Sequence, residues 1–408
     1  MKKARQPLTK NYHHAVLLFG QNHNNKALCC CRDILAQCPG HADTLHLMGD
    51  ISFEKQSFAQ AAGYFQQALK NHEDKSGDYH ALGKTFVKMK KFKPAESALL
   101  KAAQLAPRDI NVLLTLGNFM KDQQRIRAAA ACYERAISIN PSLPELYLNL
   151  GSMQSILEET ESAIFNFQVV CEMDPENMTA KHMLAALQGK TTDAAPEQHI
   201  QTLFNRCSSG YDTHMVRGLG YRVPDLMFNL LKSTDTAHRF FDNALDLGCG
   251  TGLGGMIFRD RCKRLSGIDL ALKMIKMSRK KSIYDALHVG NILEVPGLFK
   301  EEFDLFIASD VLVYIGNLTP LFQSLEKCSR PHGLFIFSTE SLGKKGYKLR
   351  PSGRYAHSKA YIKTTAENYN FQCSATKTEH IRREKGDWIE GDIWIFIYKA
   401  GSPGKTLV

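Results

Sequence analysis

One stretch of the sequence combines an acidic residue with a dense run of glycines. Residues 244–255 read A-L-D-L-G-C-G-T-G-L-G-G, so Asp246 lies two residues before the first of five glycines. Glycine accepts positive φ and leaves room for a ligand against the main chain. A strand that ends in such a turn and continues into a helix presents free backbone N–H groups to a ligand. The stretch therefore predicts a cofactor loop at the carboxyl end of a first parallel strand.

Two cofactor classes compete for this loop. Gly250, Gly252 and Gly255 satisfy the pattern G-x-G-x-x-G, which is typical of dinucleotide binding. A buried carboxylate at Asp246 would repel a pyrophosphate, but it suits a ligand that presents an ammonium group. A purely structural turn is the third interpretation, and five glycines disfavour it.

The string D-L-G-C-G-T-G resembles motif I of the class I S-adenosylmethionine (SAM) methyltransferases. In that family the acidic residue helps to bind the methionine end of SAM, and the glycines make room for the cofactor. The resemblance therefore implies SAM as the cofactor. An NAD-dependent oxidoreductase remains the alternative.

The next two predicted strands each end close to a polar residue. The second, 265–270, contains Asp269, whose carboxylate could accept both ribose hydroxyls of either cofactor. It leads into A-L-K-M, which resembles the S-x-x-M helix opening of the family and ends at Met274. After the third strand, 286–289, Asn291 occupies a position where the family commonly has an acid that binds the adenine amine. Asparagine still offers a carbonyl acceptor there.

The fourth predicted strand begins F-D-L-F-I-A-S-D-V-L-V-Y at residue 303 and resembles motif IV of the family. The predicted strand is 303–310, and Ser309 and Asp310 lie at its carboxyl end, where open α/β sheets bind ligands. Upstream, the string F-N-R-C-S-S-G-Y-D at 204–212 resembles a segment that closes over the cofactor, with Tyr211 as the lid residue or, alternatively, a packed aromatic. The predicted cofactor-binding residues are Tyr211, Asp246, Gly248, Cys249, Gly250, Gly252, Asp269, Leu270, Met274, Asn291, Ile292, Ser309 and Asp310.

A long basic insertion, residues 343–358, follows the fifth predicted strand, where this fold commonly covers its substrate. Its arginines could hold a carboxylate or phosphate, and a histidine has the intrinsic pKa of a general base. A solvent-exposed basic loop is the alternative. The candidate catalytic residues are His357 and Tyr355, and the candidate substrate-binding residues are Arg350, Arg354 and Tyr314.

The first half of the chain is an internal repeat. Gly49, Gly83, Gly117 and Gly151 are each 34 residues apart, and an alanine follows each glycine twelve residues later. A small residue in one helix lets the next helix approach closely. This pattern resembles the tetratricopeptide repeat (TPR), with five units beginning near residues 8, 42, 76, 110 and 144 and a closing helix at 178–187. The resemblance implies a concave surface for a protein or peptide; the alternatives are docking onto the second half or dimerisation.

These motifs predict an α solenoid followed by an α/β Rossmann-like methyltransferase domain. We expect the repeats at 8–187, a linker at 188–197, where the sequence is polar and both periodicities break, and the methyltransferase domain at 198–400. The resemblance implies a mostly parallel, seven-stranded sheet with an antiparallel terminal strand.

Composition limits the other classes of function. The net charge of +11 is moderate for 408 residues, and the lysine run 88–93 is a predicted turn, so nucleic acid is not the expected partner. Eleven cysteines without metal-ligand spacing predict reduced thiols and no metal site. The apolar run after the basic start covers only residues 15–19, too short for a signal or a membrane span. We therefore expect a cytoplasmic protein.

The leading hypothesis from the sequence is a SAM-dependent methyltransferase. Its acceptor would be a small anionic metabolite or a protein that the repeats recruit. The alternative is a TPR interaction scaffold with a degenerate, non-catalytic methyltransferase domain, for which the replacement of an acid by Asn291 is the support.

Overall fold

The computed structural model describes residues 2–72, 74–205 and 210–399. Contacts divide the chain into two compact units, Met1–Pro175 and Glu176–Val408. The first contains helices only, and the second is built on one sheet.

The described part of the first unit contains ten helices that pair in sequence order. The helices that begin at Ala42, Ser76, Ile110 and Pro144 start where the second to fifth predicted repeats start, whereas the first helix begins at Lys2 and not near residue 8. The helices are α1 Lys2–Gly20, α2 Asn24–Gln37, α3 Ala42–Glu54, α4 Phe58–Asn71, α5 Ser76–Lys88, α6 Phe92–Leu105, α7 Ile110–Asp122, α8 Ile126–Ile139, α9 Pro144–Ile156 and α10 Thr160–Met173.

The register glycines set how closely the two helices of a repeat approach. A Cβ at Gly117 on α7 would lie 2.7 Å from Cε1 of Tyr133 on α8, and one at Gly83 on α5 would lie 2.7 Å from Cδ2 of Leu99 on α6. Tyr133 and Leu99 are fully buried. The glycines therefore leave the space that the large buried residue of the second helix occupies, in line with the close helix approach that the sequence predicts.

The second unit begins upstream of its predicted boundary. The predicted closing helix of the repeats, α11 (Met178–Leu187), groups with the second unit. On this helix His182 donates from Nε2 to the carbonyl of Gly353 at 2.9 Å. The predicted linker is likewise held in place, because the N–H of Ala195 donates to the carbonyl of Tyr314 at 2.9 Å and Ala194 forms a bridge with Ile315. Its polar composition indicated a break in periodicity, but its backbone is hydrogen-bonded to the sheet domain.

The sheet of the second unit has nine strands among the described residues. The strands are β1 Phe241–Leu247, β2 Cys262–Asp269, β3 Ala286–Val289, β4 Phe303–Ala308, β5 Ser329–Ser341, β6 Tyr347–Leu349, β7 Tyr355–His357, β8 Phe371–Glu384 and β9 Asp387–Tyr398. The remaining helices are α12 Glu197–Asn205, α13 Tyr211–Thr213, which continues as a π-helical turn to Gly218, α14 Val223–Lys232, α15 Leu253–Phe258, α16 Leu272–Arg279, α17 Val295–Leu298, α18 Thr319–Glu326 and α19 Lys359–Glu367.

The strand order places the carboxyl ends of the first four strands side by side. The order is β3-β2-β1-β4-β5-β7-β6, with β1 to β5 parallel, β9 antiparallel to β5 and β8 antiparallel to β9. The α/β architecture and the antiparallel ending are thus confirmed. The predicted count of seven strands is wrong, because the insertion forms the short hairpin β6–β7, whose β7 extends the sheet beside the end of β5. Every residue of β4 is buried, as expected for a parallel strand covered on both faces.

Candidate functional site

A cavity of about 370 Å³ opens at the carboxyl ends of β1, β2 and β4. Most of the residues singled out by sequence line it. These are Tyr211, Asp246, Gly248, Cys249, Gly250, Asp269, Leu270, Asn291, Ile292, Ser309, Asp310, Tyr314 and Arg354. Residues from four strand ends therefore meet at one site, as the topology of an open α/β sheet requires.

The glycine loop between β1 and α15 has three left-handed backbone positions, at Gly248, Gly250 and Gly252. Gly248 has φ +62°, and a Cβ there would lie 2.6 Å from Cγ2 of Val311. Gly252 has φ +91° and directly precedes α15. The N–H of Gly250 donates to Oδ2 of Asp269 at 2.9 Å. The glycines thus let the chain turn tightly beside the cavity while the loop is tied to β2.

Asp246 is a buried carboxylate at the end of β1, with 1% of its surface exposed. Tyr284 donates from its hydroxyl to Oδ2 of Asp246 at 2.6 Å. Burial is the main cause that raises the pKa of Asp246 to about 7; the nearby Asp269 also acts to raise it, whereas hydrogen bonds from Tyr284 and from the N–H of Gly255 act to lower it. In the described part of the chain no cationic side chain pairs with Asp246, so a cationic group in the cavity would supply a compensating charge.

Asp269 lies at the end of the neighbouring strand β2 and is also buried from solvent. Its Oδ1 accepts from the N–H of Ala271 at 2.8 Å, so both of its oxygens receive a backbone hydrogen bond. Burial raises the pKa of Asp269, whereas these two bonds lower it. The bonds fix the carboxylate at the cavity wall between the ends of β1 and β3, where hydroxyl groups of a ligand could donate to its remaining lone pairs.

On the other side of β1, the chain after β4 adopts an unusual conformation. Asp310 has φ +60°, a left-handed value that is uncommon outside glycine. Its N–H donates to Oγ of Ser338 at 2.9 Å, and its carboxylate accepts from Arg354. Strained positions of this kind concentrate at functional sites.

A buried network of charges forms the floor of the cavity beside Asp310. Glu340 on β5 accepts at Oε1 from Nε of Arg354 at 2.7 Å and from Arg382 at 2.7 Å. Burial alone would raise the pKa of Glu340, but Arg354 and Arg382 lower it overall. Arg354 also donates to the hydroxyl of Tyr314 at 3.2 Å. Both arginines line the cavity, and Nε of Arg382 is buried without a hydrogen-bond partner among the described residues.

The segment upstream of β1 covers the cavity. Glu197, Ile200, Leu203 and Phe204 of α12 line it, and the ring of Phe204 packs edge-on against Tyr314 with centroids 5.6 Å apart. Tyr211 also lines the cavity, and its role as a lid stays a prediction; residues 206–209 of the lid string lie outside the described residues.

Neither candidate catalytic residue is on the cavity. His357 is fully buried, and its Nε2 donates to the carbonyls of Ile315 at 2.8 Å and Gly316 at 3.1 Å. Burial lowers the pKa of His357 to about 4, so it is neutral at pH 7. Tyr355 is fully buried, and its hydroxyl lies 2.6 Å from Oγ1 of Thr192. The interpretation of the insertion as a source of catalytic groups is therefore corrected: these two side chains hold the β6–β7 hairpin and the preceding segments together.

Three further predicted residues lie behind the cavity wall. Arg350 donates to Glu340 at 3.3 Å and to the carbonyl of Ser341 at 2.6 Å, and thus faces the far side of the charge network. Met274 is buried in α16, with 1% of its surface exposed. Gly252 shapes the turn but does not line the cavity. A loop motif does not distinguish between glycines that touch a ligand and those that only turn the chain.

Sequence reasoning missed three residues of the site. Arg382 comes from β8, 28 residues beyond Arg354, and nothing local to it indicates a binding role. Tyr284 precedes β3 and reaches Asp246 across the sheet. Glu197 was assigned to the end of the linker. An exposed acid at a helix start has a common role in helix stability, so its type gave no signal of function.

Among the described residues, no group of three or more His, Cys, Asp and Glu side chains could hold a metal ion. No described helix combines the length and apolar character required to cross a bilayer.

Models of known families match both units. A methyltransferase-domain model matches residues 245–337, which include the glycine loop, Asp269 and Asp310. A TPR model matches residues 117–154, and a tetratricopeptide-repeat model matches 79–109. The chain therefore combines tetratricopeptide repeats with a methyltransferase domain.

Curated proteins are similar to each part separately. A malonyl-[acyl-carrier protein] O-methyltransferase of Serratia marcescens is 29% identical over 153 residues, which cover 37% of this chain and 56% of that protein. Protein O-mannosyl-transferase Tmtc3 of Drosophila melanogaster is 31% identical over 118 residues, which cover 25% of this chain and 13% of that protein. The chain thus spans little more than half the length of the methyltransferase relative. Among solved structures, the N-methyltransferase NodS of Bradyrhizobium japonicum WM9 is 20% identical, covering 43% of this chain and 94% of that one, with a TM-score of 0.35.

Proposed function

We propose that the second unit is a SAM-dependent methyltransferase whose acceptor is a carboxylate. One observation carries the proposal: Asp246, the glycine turn and Asp269 line one cavity in strand order. The residues fit the methyl donor, because the uncompensated carboxylate of Asp246 suits its ammonium group and the shielded carboxylate of Asp269 suits its ribose hydroxyls. The glycine turn leaves space for its methionine chain between them.

Methyl transfer depends mainly on how the protein positions the donor and the acceptor. The donor would supply a methyl group on a sulfonium sulfur; its transfer would form an O–CH3 bond on the acceptor, break the S–CH3 bond and leave the donor as a neutral thioether. Holding two reactants in near-attack geometry supplies much of the rate in such reactions. The chain's own residues would bind the two ends of the donor, and the upstream cover would exclude water from the cavity.

Arg354 and Arg382 support a carboxylate as the acceptor. They line the cavity beside Asp310, and a guanidinium group is the side chain best suited to hold a carboxylate. A carboxylate is already deprotonated at pH 7, so its methylation needs no general base, in agreement with the position of His357 away from the cavity. The relative from Serratia, an O-methyltransferase for a malonyl group, acts on an acceptor of this class.

Calorimetric titration of the full chain with SAM and with NAD tests the donor. We expect saturable SAM binding and no NAD binding, and Asp246→Ala and Asp269→Ala should each weaken SAM binding without unfolding the protein. Absence of SAM binding at millimolar ligand would contradict the proposal and favour a non-catalytic scaffold. Binding of NAD alone would indicate an oxidoreductase.

We further propose that the repeats bind a protein or peptide, which either carries the acceptor or places the enzyme near it. Retention of proteins on the full chain, followed by methyl-label transfer from SAM, tests this role. Label on a retained protein would support recruitment. Label only on small carboxylates added to the same mixture would assign the acceptor to the metabolite class.

A further inference from the structure

The amide of Asn291 is held in one orientation by two neighbours of opposite hydrogen-bonding type. Its Oδ1 accepts from the N–H of Leu293 at 2.9 Å, and its Nδ2 donates to Oε1 of Glu197 at 2.6 Å. A flipped amide would oppose a donor to a donor and an acceptor to an acceptor, so the network fixes the assignment of the two atoms.

This orientation changes what Asn291 can offer a ligand. Its carbonyl is engaged at the start of the turn 292–294, and the group directed toward α12 is a donor. The asparagine carbonyl has thus already accepted one hydrogen bond, and a carboxylate beside it would be the stronger acceptor for an amine. The acid next to this position is Glu197, which lines the same cavity.

We propose that Glu197 is the residue that recognises the adenine 6-amino group of the methyl donor. The inference rests on the proposed function, and it adds a binding residue from outside the glycine-loop domain. Asn291 acts as the positioning residue: it donates to one carboxylate oxygen and leaves the other oxygen of Glu197 for the amine.

The surrounding residues fit an adenine at this place. Leu270 and Ile292 line the cavity on the two chain segments that follow β2 and β3, and Ile200 and Leu203 line it from α12. These apolar side chains can enclose a flat ring. Asp269 lies at the end of β2, on the path from this end of the cavity to Asp246. The donor would therefore extend from β1 to β3 along the edge of the sheet.

The start of α12 is anchored, which gives Glu197 a defined position. The carbonyl of Asp193 accepts from the N–H groups of Gly316 at 2.7 Å and Asn317 at 2.8 Å, and Ala195 is 6% exposed. Glu197 is an exposed residue that lines the cavity. An adenine over it would exclude water, and a charge-assisted hydrogen bond is stronger in such surroundings.

A pair of product analogues tests the inference directly. S-adenosylhomocysteine carries the 6-amino group, whereas S-inosylhomocysteine carries a 6-oxo group that a carboxylate repels. Calorimetry on the full chain should give wild-type affinity at least about tenfold higher for the adenosyl ligand, because a mismatched polar contact leaves a buried group unpaired.

Glu197→Gln should reverse this preference. Asn291 would still donate to the new amide oxygen and thereby direct the amide nitrogen, a donor, toward the ligand. Glu294→Gln is the matched control, because it removes the same charge from an exposed residue that does not line this cavity. We expect that control to keep the wild-type preference.

The double variant Glu197→Gln/Asn291→Asp should recover the preference for the adenosyl ligand, because it places an acid where the family commonly has one. A merely structural role of Glu197 in α12 would change both affinities equally. Glu197→Gln with an unchanged preference and intact S-adenosylhomocysteine binding would overturn the inference and leave the proposed function standing. Failure of the wild type to bind either ligand would overturn both.

Discussion

At the scale of single residues, Asp246 is the most consequential group of the site. Its folded-state pKa of about 7 lies above its ordinary value of 3.8, because burial disfavours the ionised form. Folding therefore favours the proton on Asp246. Its contribution to the free energy of unfolding is neutral below about pH 4, becomes unfavourable as the pH rises, and is constant above about pH 7.

We predict that Asp246→Asn stabilises the unliganded protein at pH 8. The amide keeps hydrogen-bonding capacity toward Tyr284 but carries no buried charge, so the free energy of unfolding should rise by up to about 4 kcal/mol, and the gain should shrink to near zero at pH 4. Urea unfolding at the two pH values measures this change. The same variant should bind SAM weakly. A loss of stability at pH 8 would contradict the assignment of Asp246 as an uncompensated charge.

Arg354 is expected to stabilise the fold, in contrast to the buried charge of Asp246, because it neutralises two acids. Only 15% of its side chain is exposed, and it pairs with Asp310 and Glu340, which are 10% and 2% exposed. Arg354→Gln would leave both carboxylates without this partner, and we expect a loss of about 3–5 kcal/mol in the free energy of unfolding.

Arg350→Gln is the matched control for this prediction. Arg350 pairs with the same Glu340 at 3.3 Å, but 32% of its side chain is exposed. Its loss should cost about 1 kcal/mol. Chemical unfolding of both variants at pH 7 measures the two losses in the free energy of unfolding. Equal losses would show that burial of an ion pair does not determine its contribution to stability.

At the scale of secondary-structure elements, the repeat glycines are separable from ordinary helix glycines. Gly117→Ala would push a methyl group into the ring of the buried Tyr133, and we expect a loss of about 1–3 kcal/mol. Gly63 on α4 has no atom within 4 Å of an added Cβ. Gly63→Ala should therefore stabilise its helix by up to about 1 kcal/mol.

Thermal unfolding of the two glycine variants measures this difference. Gly151→Ala provides an intermediate case, because the nearest ring atom of Phe167 would lie 3.2 Å from the new Cβ. The expected order of stability is Gly63→Ala, then Gly151→Ala, then Gly117→Ala. Any other order would contradict the close approach of the helices as the reason for the 34-residue register.

The elements also show where sequence reasoning succeeds. The 34-residue period and the glycine loop are local signals, since a helix pair and a strand–turn–helix each fit within one stretch of chain, and both are confirmed. The β6–β7 hairpin was missed because residues 347–349 and 355–357 are three-residue strands, too short for an alternating pattern. His357 was misassigned because a side chain's intrinsic pKa does not reveal its burial.

The partners of the site were harder to predict for a physical reason. Glu197 and Asn291 are 94 residues apart, and Arg382 and Glu340 are 42 apart. Such pairs are created by the sheet and its covering helices, so no local periodicity encodes them. The motif residues could be read from the chain in order, whereas the residues that orient them required the fold.

At the scale of the whole molecule, the second unit is larger than the region that the methyltransferase-domain model matches. The model covers 245–337, whereas the compact unit extends from Glu176 to Val408 and includes α11 and α12. The upstream residues 193–204 line or anchor the cavity. The functional domain must therefore include residues 193–204.

We predict that residues 176–408 bind S-adenosylhomocysteine with the affinity of the full chain, whereas residues 206–408 bind it at least about tenfold more weakly. The shorter fragment lacks α12 and with it Glu197 and the apolar cover of the cavity, so a well-placed polar contact and enclosed apolar area are both lost. Calorimetry on the two fragments, with circular dichroism as the folding control, measures the change. Equal affinities would show that α12 does not contribute to binding.

The binding of a carboxylate acceptor by the cavity arginines, as proposed, has a consequence for the proton balance of the reaction. Methylation of a carboxylate consumes one anion and one sulfonium cation and yields two products without releasing a proton. Methylation of an alcohol or an amine would release one proton per turnover. In a weakly buffered solution, continuous recording of pH during turnover would thus reveal the chemical class of the acceptor before its identity is known.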